Sequence, residues 1–370
     1  MAIKKIFCSV TNDLNQDQRM YRICNSLSEA GYEVWLTGRI KANSPPLLER
    51  CYKQKRLYCF FDRGFLFYAE FNIRLLFWFM TKKIDLVYAV DLDTLLPAYL
   101  YSKLFRKKFV FDCHEYFTET PELKNSPFKI RIWNTIAKVC IPASSFCFTV
   151  NDSLASLFST LYKVPFISLY NVPDNSRPII RNESPMKNKT ILYQGVLNQG
   201  RGLETLIEAM KFLPGMKLHL VGEGDISTAL RRQALDSPVS HNIIFKGMLF
   251  GKDLEKETIS SWIGINVLDI NSKSYYYSLA NKFFDYMYAG LPSIHMDFPE
   301  YRRILDQFPF GLLLQNLKVE TLVSAIKYLD HNPEVHAKMV QHCNQAIQHF
   351  TWKKEEIKLL EKIHCLINNR

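Results

Sequence analysis

No C-x-x-C pair occurs among the nine scattered cysteines of this 370-residue chain. An odd number of dispersed thiols argues against a disulfide framework and against a zinc site, and for reduced, mostly buried cysteines in a cytosolic protein. The N-terminal MAIKKIFCSVTND lacks the long apolar run and small-residue cleavage site of a signal peptide, and reads as a first strand. No stretch suits a bilayer span. The best candidate, GFLFYAEFNIRLLFWFM over residues 64–80, is too short and carries Glu70 and Arg74. An amphipathic helix with a broad apolar face fits it better. There is no long low-complexity tract and no solenoid period. The basic clusters come without a nucleic-acid-binding module or interleaved aromatic platform, so nucleic acid is not the expected partner.

What is present is a chain 48% apolar, long enough for two domains with large cores. Its net charge is +11. Residues 1–170 hold 23 Lys and Arg against 15 Asp and Glu, so most of the excess lies in the first half. Lys53, Lys55 and Arg56, Lys82 and Lys83, and Arg106 to Lys108 are its clusters. A basic half suggests an anionic partner such as a nucleotide or a phospholipid surface; a merely solvated face is the alternative for any single cluster.

Strand and helix patterns alternate twice. The first half reads as strands at 5–10, 33–37, 57–61, 85–90, 108–111, 145–149 and 166–169, with helices such as 17–30 and 95–105 between them. NVPDNSRPIIRNESPMKNK, rich in Pro and Asn, reads as a linker. The alternation restarts with strands at 190–194, 217–221, 242–245, 263–268 and 293–296, a helix over 203–212, and closing helices, the last at about 352–367. This is an α/β chain with two doubly wound parallel sheets. Two such domains joined by one linker imply a cleft, with ligands at the carboxyl ends of strands.

Chemistry-bearing residues fall at those ends. In YQGVLNQGRGLETLIEAM (193–210) a strand ends at Gly195, and Gly200, Arg201 and Gly202 open a helix; such a start suits a phosphate, although glycines there also serve the turn alone. In SLANKFFDYMYAGLP (278–292) Ser278 and Asn281 can cap a helix. N–H groups near Leu279 to Lys282 can then face an anion, with the Lys282 side chain close by. Asp285 has two readings: a partner of the helix dipole, worth about 0.3–1 kcal/mol, or a carboxylate that binds two vicinal hydroxyls. In the first half, Asn12 and Asp13 lie in the loop after the first strand, as helix caps or cleft lining. FVFDCHEYFTE carries Asp112, His114 and Glu115 off the end of an apolar strand, a position that favours function over packing. Asp91 and Asp93 follow another strand, and Asp93 can cap the next helix.

These segments together resemble the retaining glycosyltransferases of the GT-B fold, glycosyltransferase family four. The resemblance rests on NDLNQDQR, LSEAGYEV, DLDTLLPAYL and DCHEYF in the first half, and on YQGVLNQGRGLETLIEAM, LHLVGEG and NKFFDYMYAGLPSI in the second. It covers nearly the whole chain. It implies two Rossmann-like domains facing a central cleft: an acceptor-side domain over 1–170, a linker over 171–188, a nucleotide-sugar domain over 189–349, and a helix over 350–370 returning to the first domain. It implies transfer of a sugar with retained anomeric configuration from a nucleotide-sugar to a glycan or lipid-linked acceptor, with no cofactor and no required metal. Surface polysaccharide or glycolipid synthesis is the expected setting. The expected location is cytoplasmic, with the basic domain against the anionic inner face of the membrane.

By the same resemblance Arg201 contacts the donor diphosphate beside Gly195. Lys282 lies in the same site, with the backbone at Leu279. Asp285 binds the ribose, Met248 lies in the base-binding stretch, and His114 stands near the transferred sugar. Asn12, Asp13, Asp91 and Glu115 fall on the acceptor side. Two departures mark this chain. Tyr277 stands where the family's first glutamate is usual, and Val196 where a second cation usually follows the glycine. They keep two other readings open: a catalytically impaired scaffold protein, and a nucleotide-sugar epimerase on the same fold.

Overall fold

The structure, a computed structural model, describes residues 3–123, 126–173 and 189–368. The chain divides into two compact units, Met1–Asn171 with Trp352–Arg370, and Val172–Thr351. The linker expected over 171–188 lies, from residue 174 on, outside the described residues.

The first unit holds seven strands: β1 (Lys5–Ser9), β2 (Glu33–Ile40), β3 (Lys53–Tyr58), β4 (Leu86–Val90), β5 (Lys108–Cys113), β6 (Cys147–Thr149) and β7 (Phe166–Ser168). They form one sheet in the order β3-β2-β1-β4-β5-β6-β7, with every pairing parallel. Its helices are α1 (Gln18–Glu29), α2 (Gly64–Met80), α3 (Leu92–Phe105), α4 (Pro127–Cys140), α5 (Asp152–Tyr162) and, from the C-terminus, α14 (Trp352–Asn368). Central strands are buried on both faces, which is why they read as continuous apolar runs such as the LVYAV of β4. α1 buries Met20, Ile23, Cys24 and Leu27 along one stripe. Asp17 caps it by accepting the Met20 N–H at 2.9 Å. Trp352 of α14 donates its indole N–H to Ser26 of α1 at 3.0 Å, and Glu355 accepts the Tyr170 N–H at 3.0 Å.

One strand falls earlier than its apolar residues suggest. The expected 57–61 segment is paired only to Tyr58, and β3 begins at Lys53. β3 is an edge strand, so its KQKR half has no need to be apolar. Phe60 and Phe61 lie beyond the ladder, exposed, with their N–H groups held by the Glu70 carboxylate.

The second unit holds β8 (Thr190–Gln194), β9 (Lys217–Val221), β10 (Ile243–Gly247), β11 (Ile263–Asn266), β12 (Ser293–Met296) and β13 (Gly311–Leu314). Their order is β10-β9-β8-β11-β12-β13, again all parallel. The helices are α6 (Leu203–Ala209), α7 (Ser227–Leu235), α8 (Gly251–Ser260), α9 (Lys273–Tyr276), α10 (Asn281–Tyr288), α11 (Pro299–Leu305), α12 (Val319–His331) and α13 (Pro333–Ile347). β13 escapes the sequence pattern: a four-residue GLLL run fits strand and helix equally. The helix expected over 203–212 ends as α at Ala209 and tightens into a 3₁₀ turn over Met210–Phe212.

In each sheet the winding direction reverses once, between β1 and β4 and between β8 and β11. Loops leaving the carboxyl ends at these reversals are where open α/β sheets place ligands. In the first unit they carry Asn12, Asp13 and Asp91. In the second they carry Gly195 and Arg201, and α10 is the second helix after β11.

Candidate functional site

In the second unit, β8 runs into Gly195, whose φ of +130° only glycine adopts readily. The loop after β9 crosses it closely: a Cβ at Gly222 would lie 2.0 Å from the Gly195 carbonyl oxygen. These glycines are therefore fixed by the meeting of two backbones. The anion-binding case rests on side chains.

α10 starts later than its sequence suggests. The Tyr-rich run forms its own short helix, α9, and the Ser278 hydroxyl donates to the Tyr275 carbonyl at that helix's end. Ala280 is the N-cap of α10, with no side-chain cap, and Asn281 is its first helical residue. Ser278 and Asn281 thus do not cap it. Leu279 is buried just before the helix.

This start places Lys282 in the first turn and Asp285 in the second. No acid occupies the first turn, and the dipole's influence fades beyond it. Asp285 is therefore poorly placed as a dipole partner. Its Oδ2 instead accepts the Gln194 side-chain amide at 2.9 Å, and Gln194 Oε1 accepts the Thr258 hydroxyl of α8 at 2.9 Å. Gln194, the last residue of β8, is 4% exposed. It ties the carboxylate to the end of the sheet.

Lys282 is the most unusual group of the unit. It is 6% exposed, its Nζ has no hydrogen-bond partner, and it stands 3.6 Å from the centroid of the Tyr193 ring. Burial, then the nearby Arg201 guanidinium, drive its pKa well below the lysine range, with Asp285 opposing. A cation at a helix N-terminus is also disfavoured by the dipole. Gly195 lies alongside: a Cβ there would be 3.4 Å from Nζ. Arg201 is half-buried, and its guanidinium lies 5.9 Å from the centroid of the Tyr275 ring. Burial opposes its charge, while the Tyr193 and Tyr275 hydroxyls support it. A guanidinium, a buried amino group and a helix start converge where an anion would satisfy them all. Met248 follows β10 and is exposed. Tyr277 ends α9, half-buried, and Val196 is exposed beside Gly195.

The first unit builds a second constellation. Asp112, at the end of β5, is fully buried and accepts Arg19 Nε at 3.0 Å, another Arg19 nitrogen at 2.7 Å and the Tyr88 hydroxyl at 2.9 Å. Arg19 also donates to the Leu169 carbonyl at 2.6 Å. His114 sits between two carboxylates: its Nδ1 is 3.4 Å from Asp91 Oδ2, and its Nε2 is 3.4 Å from Asp112 Oδ2. Asp91 further accepts the His114 backbone N–H at 2.9 Å. Burial pulls the imidazole pKa down, but Asp91 and Asp112 outweigh it and hold it at about 9. His114 is a cation at neutral pH: a donor, not a base. Burial, with Asp91 nearby, lifts Asp93 to about 7 even though Thr11 donates to it at 2.6 Å. Asp93 is not the cap of α3; Asp91 takes the N-cap position, with φ +55° and no side-chain cap bond. Asn12 and Asp13 serve the loop itself: Asn12 bonds Asp17 and the Leu14 N–H, and Asp13 accepts the Asn15 N–H. Glu115 is exposed.

Within each unit the structure thus gathers the residues the sequence singles out: Gly195, Arg201, Lys282 and Asp285 in one, Asp91 and His114 in the other. Sequence reasoning missed Gln194, Thr258, Arg19 and Tyr88. A polar amide closing a buried strand was the available signal for Gln194.

Residues 176–346 match the family model described as glycosyl transferases group 1, and residues 16–171 match that described as glycosyltransferase family 4. No curated protein matches the chain in sequence. Among solved structures, the sucrose-phosphate synthase of Thermosynechococcus elongatus is 14% identical with a TM-score of 0.79, covering 99% of this chain and 100% of its own. Anabaena Alr3699/HepE in complex with UDP and glucose is 14% identical with a TM-score of 0.77, covering 98% and 99%. WaaG, a glycosyltransferase involved in lipopolysaccharide biosynthesis, is 13% identical with a TM-score of 0.73, covering 99% and 100%. At such identities the likeness is one of fold, and the fold is GT-B.

Proposed function

We propose that this glycosyltransferase of the GT-B fold moves a sugar from a nucleotide-sugar donor to a glycan or lipid-linked acceptor, with retention at the anomeric carbon, in the building of a surface polysaccharide or glycolipid. The observation that carries the reading is Lys282: a buried amino group at a helix start, without a hydrogen-bond partner, with Arg201 close enough to depress its pKa. A buried polar group left without a hydrogen bond is costly to a protein, and a donor diphosphate would pair it as the ammonium.

On this reading the diphosphate lies at Lys282, Arg201 and the N-terminus of α10. Asp285, held by Gln194, binds the ribose hydroxyls, and the stretch at Met248 faces the base. The bond from the anomeric carbon to the diphosphate oxygen breaks, and the acceptor hydroxyl attacks on the same face. Its proton passes to the departing phosphate oxygen. Negative charge grows on that leaving group, where fixed cations act most strongly, so a divalent metal is not required. Cationic His114 hydrogen-bonds and stabilises the sugar. Alr3699/HepE binds UDP and glucose in its solved complex, which makes uridine nucleotides the first donors to try.

The test is a panel of nucleoside diphosphates and nucleotide-sugars by thermal shift, followed by transfer assays with EDTA present. A ligand that binds the native state raises the melting temperature. One donor should stabilise the protein and be consumed only with acceptor. Donor consumed to an isomer without acceptor would identify an epimerase, and binding without any turnover a scaffold.

A further inference from the structure

The unused feature of the first unit is the outer face of α2. Its inner face is regular: Phe67, Phe71, Leu75 and Phe79 recur every four residues and are buried. The opposite face should then be polar, and it is not. Leu66 is 55% exposed, Ile73 58%, Phe77 63% and Met80 44%. At 3.6 residues per turn these four lie within about 60° of one another around the helix. They make one aliphatic and aromatic stripe along its length. α3, which packs against α2, also exposes Leu100 and Leu104.

The charges around the stripe choose its occupant. Residues 53–83 contain seven Lys and Arg against two Asp and Glu. Of the two acids, Glu70 is consumed by the Phe60 and Phe61 N–H groups and by Arg74 at 2.8 Å. Cations stand at both ends of the stripe: Arg63 before the helix, Lys82 and Lys83 after it. A second copy of the chain is a poor occupant, because antiparallel pairing of two such stripes would set Arg63 against Lys82 and Lys83. An anionic lipid surface takes the apolar stripe and satisfies both basic ends.

We propose that the outer face of α2 is a membrane-docking surface: Leu66, Ile73, Phe77 and Met80 insert at the level of the acyl boundary of an anionic bilayer, and Arg63, Lys82 and Lys83 meet the headgroups. The helix lies on the membrane and does not cross it; no helix among the described residues is long and apolar enough to do so. The inference rests on the glycosyl-transfer reading only in that it gives a lipid-linked acceptor a place to be met.

Sedimentation with vesicles of phosphatidylcholine and phosphatidylglycerol, two to one, tests it without any sugar substrate. The wild-type protein should bind at physiological salt and retain part of that binding at several-fold higher salt. The double variant Ile73→Ser, Phe77→Ser should melt as the wild type does, since both residues are exposed, and should lose roughly tenfold or more in partitioning at both salts. Lys82→Ser with Lys83→Ser should lose binding mainly at low salt. Failure of the wild type to bind, or equal binding by the double variant, would overturn the proposal. So would a wild-type dimer that the double variant splits while vesicle binding holds, which would make a second copy the occupant. Nucleoside diphosphate binding, measured on the same samples, reads the transferase assignment separately.

Discussion

Gln194 donates its side-chain amide to Asp285 Oδ2 at 2.9 Å, and so fixes a carboxylate of the second helical turn to the last residue of the first strand of its sheet. The carboxylate that the sequence offered as either a dipole partner or a ligand group is held by the sheet, beyond the turn where the dipole acts. Asp285→Asn should weaken nucleoside diphosphate binding by about 1.5–3 kcal/mol, the range for hydrogen bonds to a charged group, with little change in the melting temperature. Gln194→Leu should weaken it less, by about 1 kcal/mol, and should also lower the melting temperature, because the buried amide that links Asp285 to Thr258 is lost. Titration calorimetry and thermal melts on the same preparations check both.

His114 gives the pH dependence. Its folded pKa of about 9 lies above the unfolded imidazole value, because Asp91 and Asp112 outweigh its burial. The stability it contributes is full below the unfolded value, about 6.5, and is lost as pH rises through about 9. Transfer should follow the same limb if the cation stabilises the sugar. The rate at saturating donor should fall above about pH 9, and Asp91→Asn should move that limb toward neutrality. A limb unmoved by this substitution would assign the titration to another group.

Arg19 and Asp112 are a buried pair, both almost completely inaccessible. Arg19→Met leaves Asp112 with Tyr88 and His114 alone. Breaking one side of such a pair costs about 3–5 kcal/mol. Urea unfolding should report a loss of that size, far above that of an exposed pair such as Arg231 with Glu223.

The parts of this molecule legible in the sequence are those whose local signal is strong. Parallel strands buried on both faces, such as β4 and β8, appear as apolar runs and were placed within a residue or two. Edge strands were not: β3 slid because its paired half is basic, and β13 is four residues long. Candidate site residues were legible where they leave a strand end, as Gly195 and His114 do. Their partners were not, because Arg19 meets Asp112 across 93 positions and Gln194 meets Asp285 across 91, distances at which no sequence period speaks. The start of α10 was misplaced for a local reason: the Tyr-rich segment before it forms its own helix and takes Ser278 for that helix's end.

The central claim is that Lys282 waits for a diphosphate, and calorimetric titration of nucleoside diphosphates, uridine diphosphate first, into wild type and Lys282→Met tests it most directly. In the free protein its burial and Arg201 hold its pKa far down, and an anion beside it reverses that preference. Wild-type binding should therefore take up a proton, seen as a dependence of the apparent enthalpy on the ionisation enthalpy of the buffer. Lys282→Met should abolish the uptake and weaken binding by roughly 1.5–3 kcal/mol, while raising the melting temperature of the free protein by removing a buried amino group that has no hydrogen-bond partner. Equal affinity in the two proteins, with a variant less stable than the wild type, would contradict the account and leave Lys282 a packing residue.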